Sequence, residues 1–342
     1  MVAPERVNDT EQTLAWSREL VDPALRSAVD TLPASMRRIA GYHLGWWDQH
    51  GGRTSASSGK AVRPTLTLLC AALVGGSPKE AVPAGVAVEL VHNFSLLHDD
   101  VMDGDLTRRH RPTAWSLFGI GAAILAGDAL LTLALDALAA SAHPAAGPGM
   151  RMLSAAVQEL VDGQCADMEF EQRSAVDLAE CQHMAQGKTA ALMGAACALG
   201  ATFGGGSQEQ VGRLRTFGEH VGLAFQHVDD LLGIWGDERT TGKPVYSDLR
   251  NRKKSLPVVY ALTSGTPEAR ELAAMYAGGE PPTDEELRTA ANLVDRAGGR
   301  AWSQEQADDL MARALAHLAH LPPTPSATEL TDLAHHLTHR TH

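Results

Sequence analysis

Residues 77–103 read SPKEAVPAGVAVELVHNFSLLHDDVMD. From Val82 to Leu97 the apolar residues are too dense for a surface helix, so this is a core helix. Ser77 suits a cap and Pro78 a first helical position, which predicts a helix over 78–102. It ends in three aspartates. Asp99 and Asp103 are four apart and share one helical face, about 6 Å apart at Cβ. Like charges at that spacing weaken a bare helix. A solvated helix end accounts for one such cluster. At the end of a core helix, a carboxylate pair also suits a hard, oxygen-seeking cation.

Outward from this stretch the same period continues. Apolar residues recur with helical spacing over 12–30, 35–48, 60–75, 113–141, 147–172, 176–200, 207–236, 255–263, 267–277, 284–297, 301–319 and 327–338, and no stretch alternates as a half-buried strand does. Gly- and Pro-rich breaks separate these segments, none long enough for a flexible linker. The 342 residues are 44% hydrophobic, 20% charged and only 5% aromatic, a balance that favours helices. The expected fold class is all-α, a bundle of long packed helices in one domain. A net charge of −12 argues against a nucleic-acid partner. The uncharged run Ala190–Phe203 is 14 residues, short of the ~20 that cross a bilayer, so no stable membrane span is expected. Four isolated cysteines and no signal-like N-terminus predict a reduced, cytoplasmic protein. The His-rich end, 335–342, reads as a solvated tail.

A second acidic cluster, Gln226-His227-Val228-Asp229-Asp230, comes after the apolar Val221, Leu223, Ala224 and Phe225. Basic residues gather near both clusters: Arg108-Arg109 after the first, Lys243, Lys253 and Lys254 after the second, with Lys60, Arg63 and Lys188-Thr189 elsewhere. Solvated surface accounts for any one of these. Together, two carboxylate pairs with scattered Arg forks and Lys charges are what two diphosphates and several Mg²⁺ require.

Asp99-Asp100-x-x-Asp103 with Arg108-Arg109-x-x-Pro112-Thr113 resembles the first aspartate-rich motif of the polyprenyl synthetase family of trans-isoprenyl diphosphate synthases. Phe225-Gln226 through Asp237, then Gly242-Lys243 and Asp248, resembles the second; Gly59-Lys60-x-x-Arg63-Pro64 and Gly163-Gln164-x-x-Asp167 match two further motifs. The resemblance covers about 35–320, leaving 1–34 as an N-terminal extension with the first helix and 321–342 as a closing helix and tail of the same domain. It implies a helical bundle around a deep cavity, a homodimer, and Mg²⁺-assisted condensation of isopentenyl diphosphate with an allylic diphosphate. Asp99 and Asp103 would hold two Mg²⁺ and Asp229 a third, with Asp100 and Asp230 supporting. Arg108, Lys188, Thr189, Gln226 and Lys243 would grip the allylic diphosphate. Lys60, Arg63, His92 and Arg109 would hold isopentenyl diphosphate, and Lys253 would sit at the rim near the diphosphates. The chain departs from the pattern at Gly233, where a full second motif has Asp, at Ala61, where many members carry a second basic residue, and at Arg252, where Gly is frequent.

The residue types fit the chemistry. Ionising an allylic C–O bond builds charge on the leaving diphosphate, which fixed cations stabilise without moving a proton. Apolar helices then keep water from the allylic cation. Phe94 and Ser95, five and four residues before Asp99, lie about one turn deeper, ~6–7.5 Å along the helix. An aromatic floor at Phe94 beside a small Ser95 resembles the geranylgeranyl type and predicts a C20 product, with farnesyl (C15) as the alternative. A class I terpene cyclase of the same fold is a further alternative, but it has no use for Lys60, Arg63, His92 and Arg109.

Overall fold

Helices form over nearly every stretch with the 3.6-residue period. The computed structural model describes residues 9–54, 59–237, 245–278 and 280–338. Its helices are α1 (Asp9–Asp30), α2 (Ala34–His43), α3 (Val62–Leu73), α4 (Val82–Met102), α5 (Ala114–Phe118), α6 (Ile120–Ala139), α7 (Ala146–Gln172), α8 (Leu178–Ala185), α9 (Ala191–Phe203), α10 (Gln208–Trp235), α11 (Ser247–Arg250), α12 (Leu256–Thr263), α13 (Pro267–Tyr276), α14 (Asp284–Arg296), α15 (Gly299–Ala319) and α16 (Pro325–Thr338).

Four departures from the sequence reading have local causes. The helix expected from Pro78 starts at Val82 instead, because residues 78–81 close as a turn (Glu80 N–H to Ser77 O, 3.0 Å) and Pro83 takes the first turn. The helix expected over 113–141 breaks at Gly119, whose φ of +89° takes the chain out of helix between α5 and α6. The helix expected over 176–200 is interrupted by a π turn, Gln186–Ala190, between α8 and α9. A small antiparallel hairpin, β1 (Thr107–Arg108) and β2 (Arg111–Pro112), occupies a stretch where no strand was expected.

The chain divides into two compact units, Met1–Ala155 with Ala195–Arg215 and Leu318–Leu333, and Ala156–Gly194 with Thr216–His317 and Ala334–His342. In the first, α4 is the organising helix. Ala84 to Leu97 is almost wholly buried, and α4 packs on α1, α3 and α6. Helix α1 contributes Leu14, Val21, Leu25 and Val29, all buried at helical spacing. The hairpin is moored to α2 by Arg111, which donates to the carbonyls of Tyr42 and Trp47 (3.0 Å each) and lies over the Tyr42 ring.

In the second unit, one core gathers Ile234, Leu249, Val258, Leu272, Leu287 and Val294 from α10 to α14. Another joins Phe170, Cys181 and Met184 to Leu256 and Val259. Helix α8 starts on a capping box, Asp177 accepting from Glu180 N–H (2.8 Å) and Glu180 from Asp177 N–H (3.0 Å). Among the described residues only α6 is long and apolar enough to match a membrane span. It carries Asp128 and Asp136 and packs on α4, as a core helix does. Cys70, Cys165, Cys181 and Cys197 are free thiols.

Candidate active site

The candidate residues fall into two clusters, one in each unit. In the first, the end of α4 sorts its aspartates by helical phase. Asp99 is half-buried, and Asp103, just past the last helical residue, is exposed. Asp100 turns inward to 1% exposure and accepts from Arg108 Nε at 2.6 Å. Burial pushes the Asp100 carboxyl up to about 6, with Arg108 pulling against it.

Arg108 and Arg109 are consecutive yet serve different neighbours. The loop between β1 and β2 is the two residues Arg109 and His110, both left-handed (φ +51° and +59°). That is the pattern of a type I′ hairpin turn, here without the usual Gly or Asn. It sends Arg108 to Asp100 and Arg109 toward Gly59, so close that a Cβ at Gly59 would lie 2.7 Å from Arg109 Nη2. Gly59 has φ +97°, and Ala61, just before α3, has φ +53°. Lys60 sits between them, exposed. Arg63, at the start of α3, has a buried Nε without a protein acceptor.

Glu89 is the acid that answers these cations. It is buried on α4 and accepts from Asn93 Nδ2 at 2.9 Å. Burial lowers the Arg63 and Arg109 guanidinium pKa values while Glu89 raises them. His92 lies deep among the same groups; burial first, then Arg63 and Arg109, hold its imidazole neutral. Phe94 is 6% exposed and meets the His98 ring edge-on, centroids 4.8 Å apart, while Ser95 donates its hydroxyl to His92 O (2.8 Å).

The second cluster grows from the π turn. A π turn adds a residue to the helical repeat and shifts the phase of the residues after it, a device common at functional sites. Here it directs Lys188 to Asp167 on α7, Nζ to Oδ2 at 2.5 Å. Burial would raise the Asp167 carboxyl, but Lys188 and Lys253 hold it below its usual value. Thr189 donates to Gln226 Oε1 (2.5 Å) and Gln226 Nε2 donates to Asp230 Oδ1 (2.7 Å). The other Asp230 oxygen accepts from Leu256 N–H at 2.9 Å. Both Asp230 oxygens are thus taken, and burial pushes its carboxyl up to about 7. Asp229 is exposed. Burial works against the charge on Lys253, but Asp248, Asp167, Asp230 and Asp229 outweigh it and keep the ammonium protonated. Lys243 and its neighbour Gly242 lie outside the described residues.

The structure therefore brings Arg63, His92, Arg109 and Glu89 together in one unit, with exposed Lys60 next in the chain to Gly59, and Lys188, Thr189, Gln226, Asp230 and Lys253 in the other. Sequence reasoning assigned no role to Glu89 and quoted Asp167 and Asp248 only as motif positions. Glu89 is the one acid inside the apolar run of α4, and a buried carboxylate needs a cation. Asp167 belongs to a motif but lacks a cation near it in sequence. Asp248 crosses to Lys253 only through the turn at α11.

Residues 46–294 match the family model for polyprenyl synthetase. The chain belongs to the polyprenyl synthetase family. It is 48% identical over 301 residues to a protein of Mycobacterium tuberculosis named (2E,6E)-farnesyl diphosphate synthase, covering 87% of this chain and 84% of that one. A geranylgeranyl diphosphate synthase of the same organism is 46% identical over 297 residues, covering 86% and 85%. Among solved structures, a polyprenyl synthetase from Streptomyces coelicolor A3(2) superposes with a TM-score of 0.92 at 44% identity, over 96% of this chain and 99% of that one. The chain has the all-α isoprenoid synthase fold and is a trans-prenyltransferase of a Mg²⁺-dependent family.

Proposed function

We propose that this prenyltransferase condenses isopentenyl diphosphate with an allylic diphosphate to give all-trans geranylgeranyl diphosphate (C20). The observation that carries the chain length is the pairing of buried Phe94 with small Ser95 on α4. An aromatic ring there closes the space one turn below Asp99, and the serine beside it leaves room. Farnesyl diphosphate is the second reading, favoured by the 48% identity to proteins named farnesyl diphosphate synthase. Incubating the enzyme with isopentenyl diphosphate and C5, C10 or C15 primers separates them: C20 from each primer is expected, and a C15 end point refutes the assignment. Phe94→Ala should then extend products beyond C20 and Ser95→Phe shorten them to C15. Wild-type length from both would place the floor elsewhere.

The carboxylate donors fit Mg²⁺. Mg²⁺ takes one or two carboxylates and completes its shell with phosphate oxygens and water; half-buried Asp99 and exposed Asp103 and Asp229 are carboxylates within reach of such a shell. Asp99 and Asp103 would hold two ions and Asp229 a third. When bound, the ions offset the charge that develops on the departing diphosphate. Asp100 and Asp230, turned inward, orient Arg108 and Gln226. Arg108, Lys188, Thr189, Gln226, Lys243 and Lys253 take the allylic diphosphate, and Lys60, Arg63, His92 and Arg109 take the isopentenyl one. Neutral His92 donates a hydrogen bond rather than a charge.

The catalytic domain is assigned to 35–320, with 1–34 as an extension and 321–342 closing the same domain. We also assign a homodimer. Its support is the row Leu117, Ile120, Ile124 and Leu125 along α5 and α6, 36–58% exposed, an apolar surface of the kind that marks an association face. Size measurement by light scattering on wild type and Leu125→Glu tests it.

A further inference from the structure

Arg18 lies on α1, ahead of the matched family region that begins at residue 46. Its Nη2 donates to the carbonyl of Gly59, the residue before Lys60. Three features show that this bond does more than attach a helix.

First, α1 has its own anchorage. Leu14, Val21, Leu25 and Val29 are buried on a face that packs on α3 and α4. Removing the Arg18 charge leaves that apolar seat intact.

Second, the segment Arg18 grips needs holding. Gly59 (φ +97°) and Ala61 (φ +53°) are both left-handed. On the α3 side, Thr65 fixes the Ala61 carbonyl with its N–H (3.2 Å) and its hydroxyl (2.8 Å). Arg18 is the corresponding hold on the other side, at Gly59. Lys60 is thus suspended between two pinned carbonyls, its backbone fixed while its side chain reaches out.

Third, the charges are unbalanced. Arg18, Arg63 and Arg109 gather here against Glu89 and Asp22. Arg18 adds repulsion to Arg109, and buried nitrogens of Arg18, Arg63 and Arg109 (Nε, Nε and Nη1) lack protein acceptors. A structural clasp gains nothing from a third guanidinium beside two others. A cluster awaiting a polyanion does, since the repulsion is relieved when the anion arrives.

We infer that Arg18 is a positioning residue for isopentenyl diphosphate: from α1 it fixes the Gly59–Ala61 turn and so sets Lys60 beside Arg63 and Arg109. The inference rests on assigning those three cations to that substrate.

The test is steady-state kinetics on the full chain, each substrate varied separately. Arg18→Ala should raise KM for isopentenyl diphosphate about tenfold, the scale of one lost charge-assisted hydrogen bond, with kcat and the allylic KM near wild type. Arg18→Lys should recover part of the loss. Arg18→Met keeps the apolar stem without the charge, and serves if the alanine variant misfolds. Leu25→Ala, which loosens α1 by packing alone, should lower the melting temperature without moving that KM. Arg63→Ala is measured alongside. An unchanged KM in both Arg18→Ala and Arg18→Met, with Arg63→Ala raising it, overturns the role of Arg18. If Arg63→Ala leaves it unchanged too, the substrate assignment itself fails. A KM rise in Leu25→Ala equal to that in Arg18→Met reduces Arg18 to helix attachment and also overturns the inference.

Discussion

Gly163→Ala is a one-carbon test of how the second cluster is built. On α7, Gly163 faces the π turn at backbone distance. An added Cβ would lie 2.4 Å from Lys188 N, 2.8 Å from Met184 O and 3.0 Å from Gly187 C. All three are backbone atoms, so no side chain can swing away. Ordinary contact begins near 3.4 Å, so the π turn must retreat by about 1 Å. That retreat carries Lys188 off the 2.5 Å bond to Asp167 and shifts Thr189 against Gln226. A displacement of about 1 Å at a reacting centre can cost ~10²-fold in rate. Overpacking costs ~1–3 kcal/mol, partly offset by the ~0.5–1 kcal/mol that alanine gains over glycine in a helix. The expected result is a folded enzyme, a few degrees less stable, with turnover at saturating substrates down ~10²-fold. Gly212→Ala on α10 is the control. Nothing lies within 4 Å of its added Cβ, so it should gain slightly in stability and keep full turnover. Near-wild-type turnover in Gly163→Ala would refute the placement of Lys188 by the α7 contact.

Three further outcomes are expected. Asp99→Ala and Asp103→Ala should each lower turnover at least ~10²-fold, with helical content by circular dichroism unchanged; near-normal turnover at saturating Mg²⁺ removes them from the metal set. His110→Gly should raise the melting temperature, because a left-handed non-glycine residue stores ~1–3 kcal/mol that glycine releases; no gain would mean the hairpin turn is unstrained. His43 is buried on α2 near Arg109, Arg108, Arg111 and Asn93, and burial, then the arginines, hold its pKa down to about 3. The folded state refuses a proton that the unfolded chain accepts below 6.5, so this contribution is complete above pH 6.5 and fades as pH falls toward 3. The shift is worth ~5 kcal/mol at full extent. Denaturant titrations should therefore show His43→Gln losing less stability than wild type over that window, and parallel losses would contradict it.

Periodicity made most helices legible, because a buried stripe every 3.6 residues is a strong signal over twenty residues. It failed where a short local event overrode it. Pro83 competes with Pro78 for the start of α4, and only the turn at Ser77–Ala81 decides between them. The π turn at Gln186–Ala190 keeps the apolar pattern of its flanks and so leaves no break to read. The hairpin has four residues in strands and carries Arg-His where a type I′ turn usually carries Asn-Gly, so its sequence looks like a charged loop. At the site, residue types and spacing are visible in the sequence, and helical phase separates the inward Asp100 from its neighbours. Asp100 follows Leu96 and Leu97 at helical spacing, and that phase alone points it into the core. Contacts such as Asp167 to Lys188 join residues 21 apart and depend on a phase shift that the sequence does not announce.

Left-handed residues and proposed binding residues coincide for a physical reason. Among the described residues the non-glycine positions with positive φ are Ala61, Arg109, His110, Ala142, Tyr246 and Arg252. All but Ala142 and Tyr246 lie within two residues of Lys60, Arg63, Arg108, Arg109 or Lys253. A regular helix separates consecutive side chains by about 100°, so neighbouring residues on it cannot be aimed independently. A diphosphate presents several oxygens within a few ångströms and needs cations from different parts of the chain. A left-handed residue redirects the backbone within one step, as at Arg108 and Arg109, which reach Asp100 and the Gly59 turn respectively. Each such residue costs ~1–3 kcal/mol and persists only if its surroundings over-determine it. The surroundings here do so: Arg111 is bonded to the end of α2, Thr65 to Ala61, Arg18 to Gly59, and Tyr276 Oη to the carbonyl of Lys253 at 3.3 Å. Release of that strain by glycine at Ala61 should therefore stabilise the fold while loosening Lys60. A melting temperature that rises together with KM for isopentenyl diphosphate is the expected signature, and a rise in stability at constant KM would show that the strain does not serve binding.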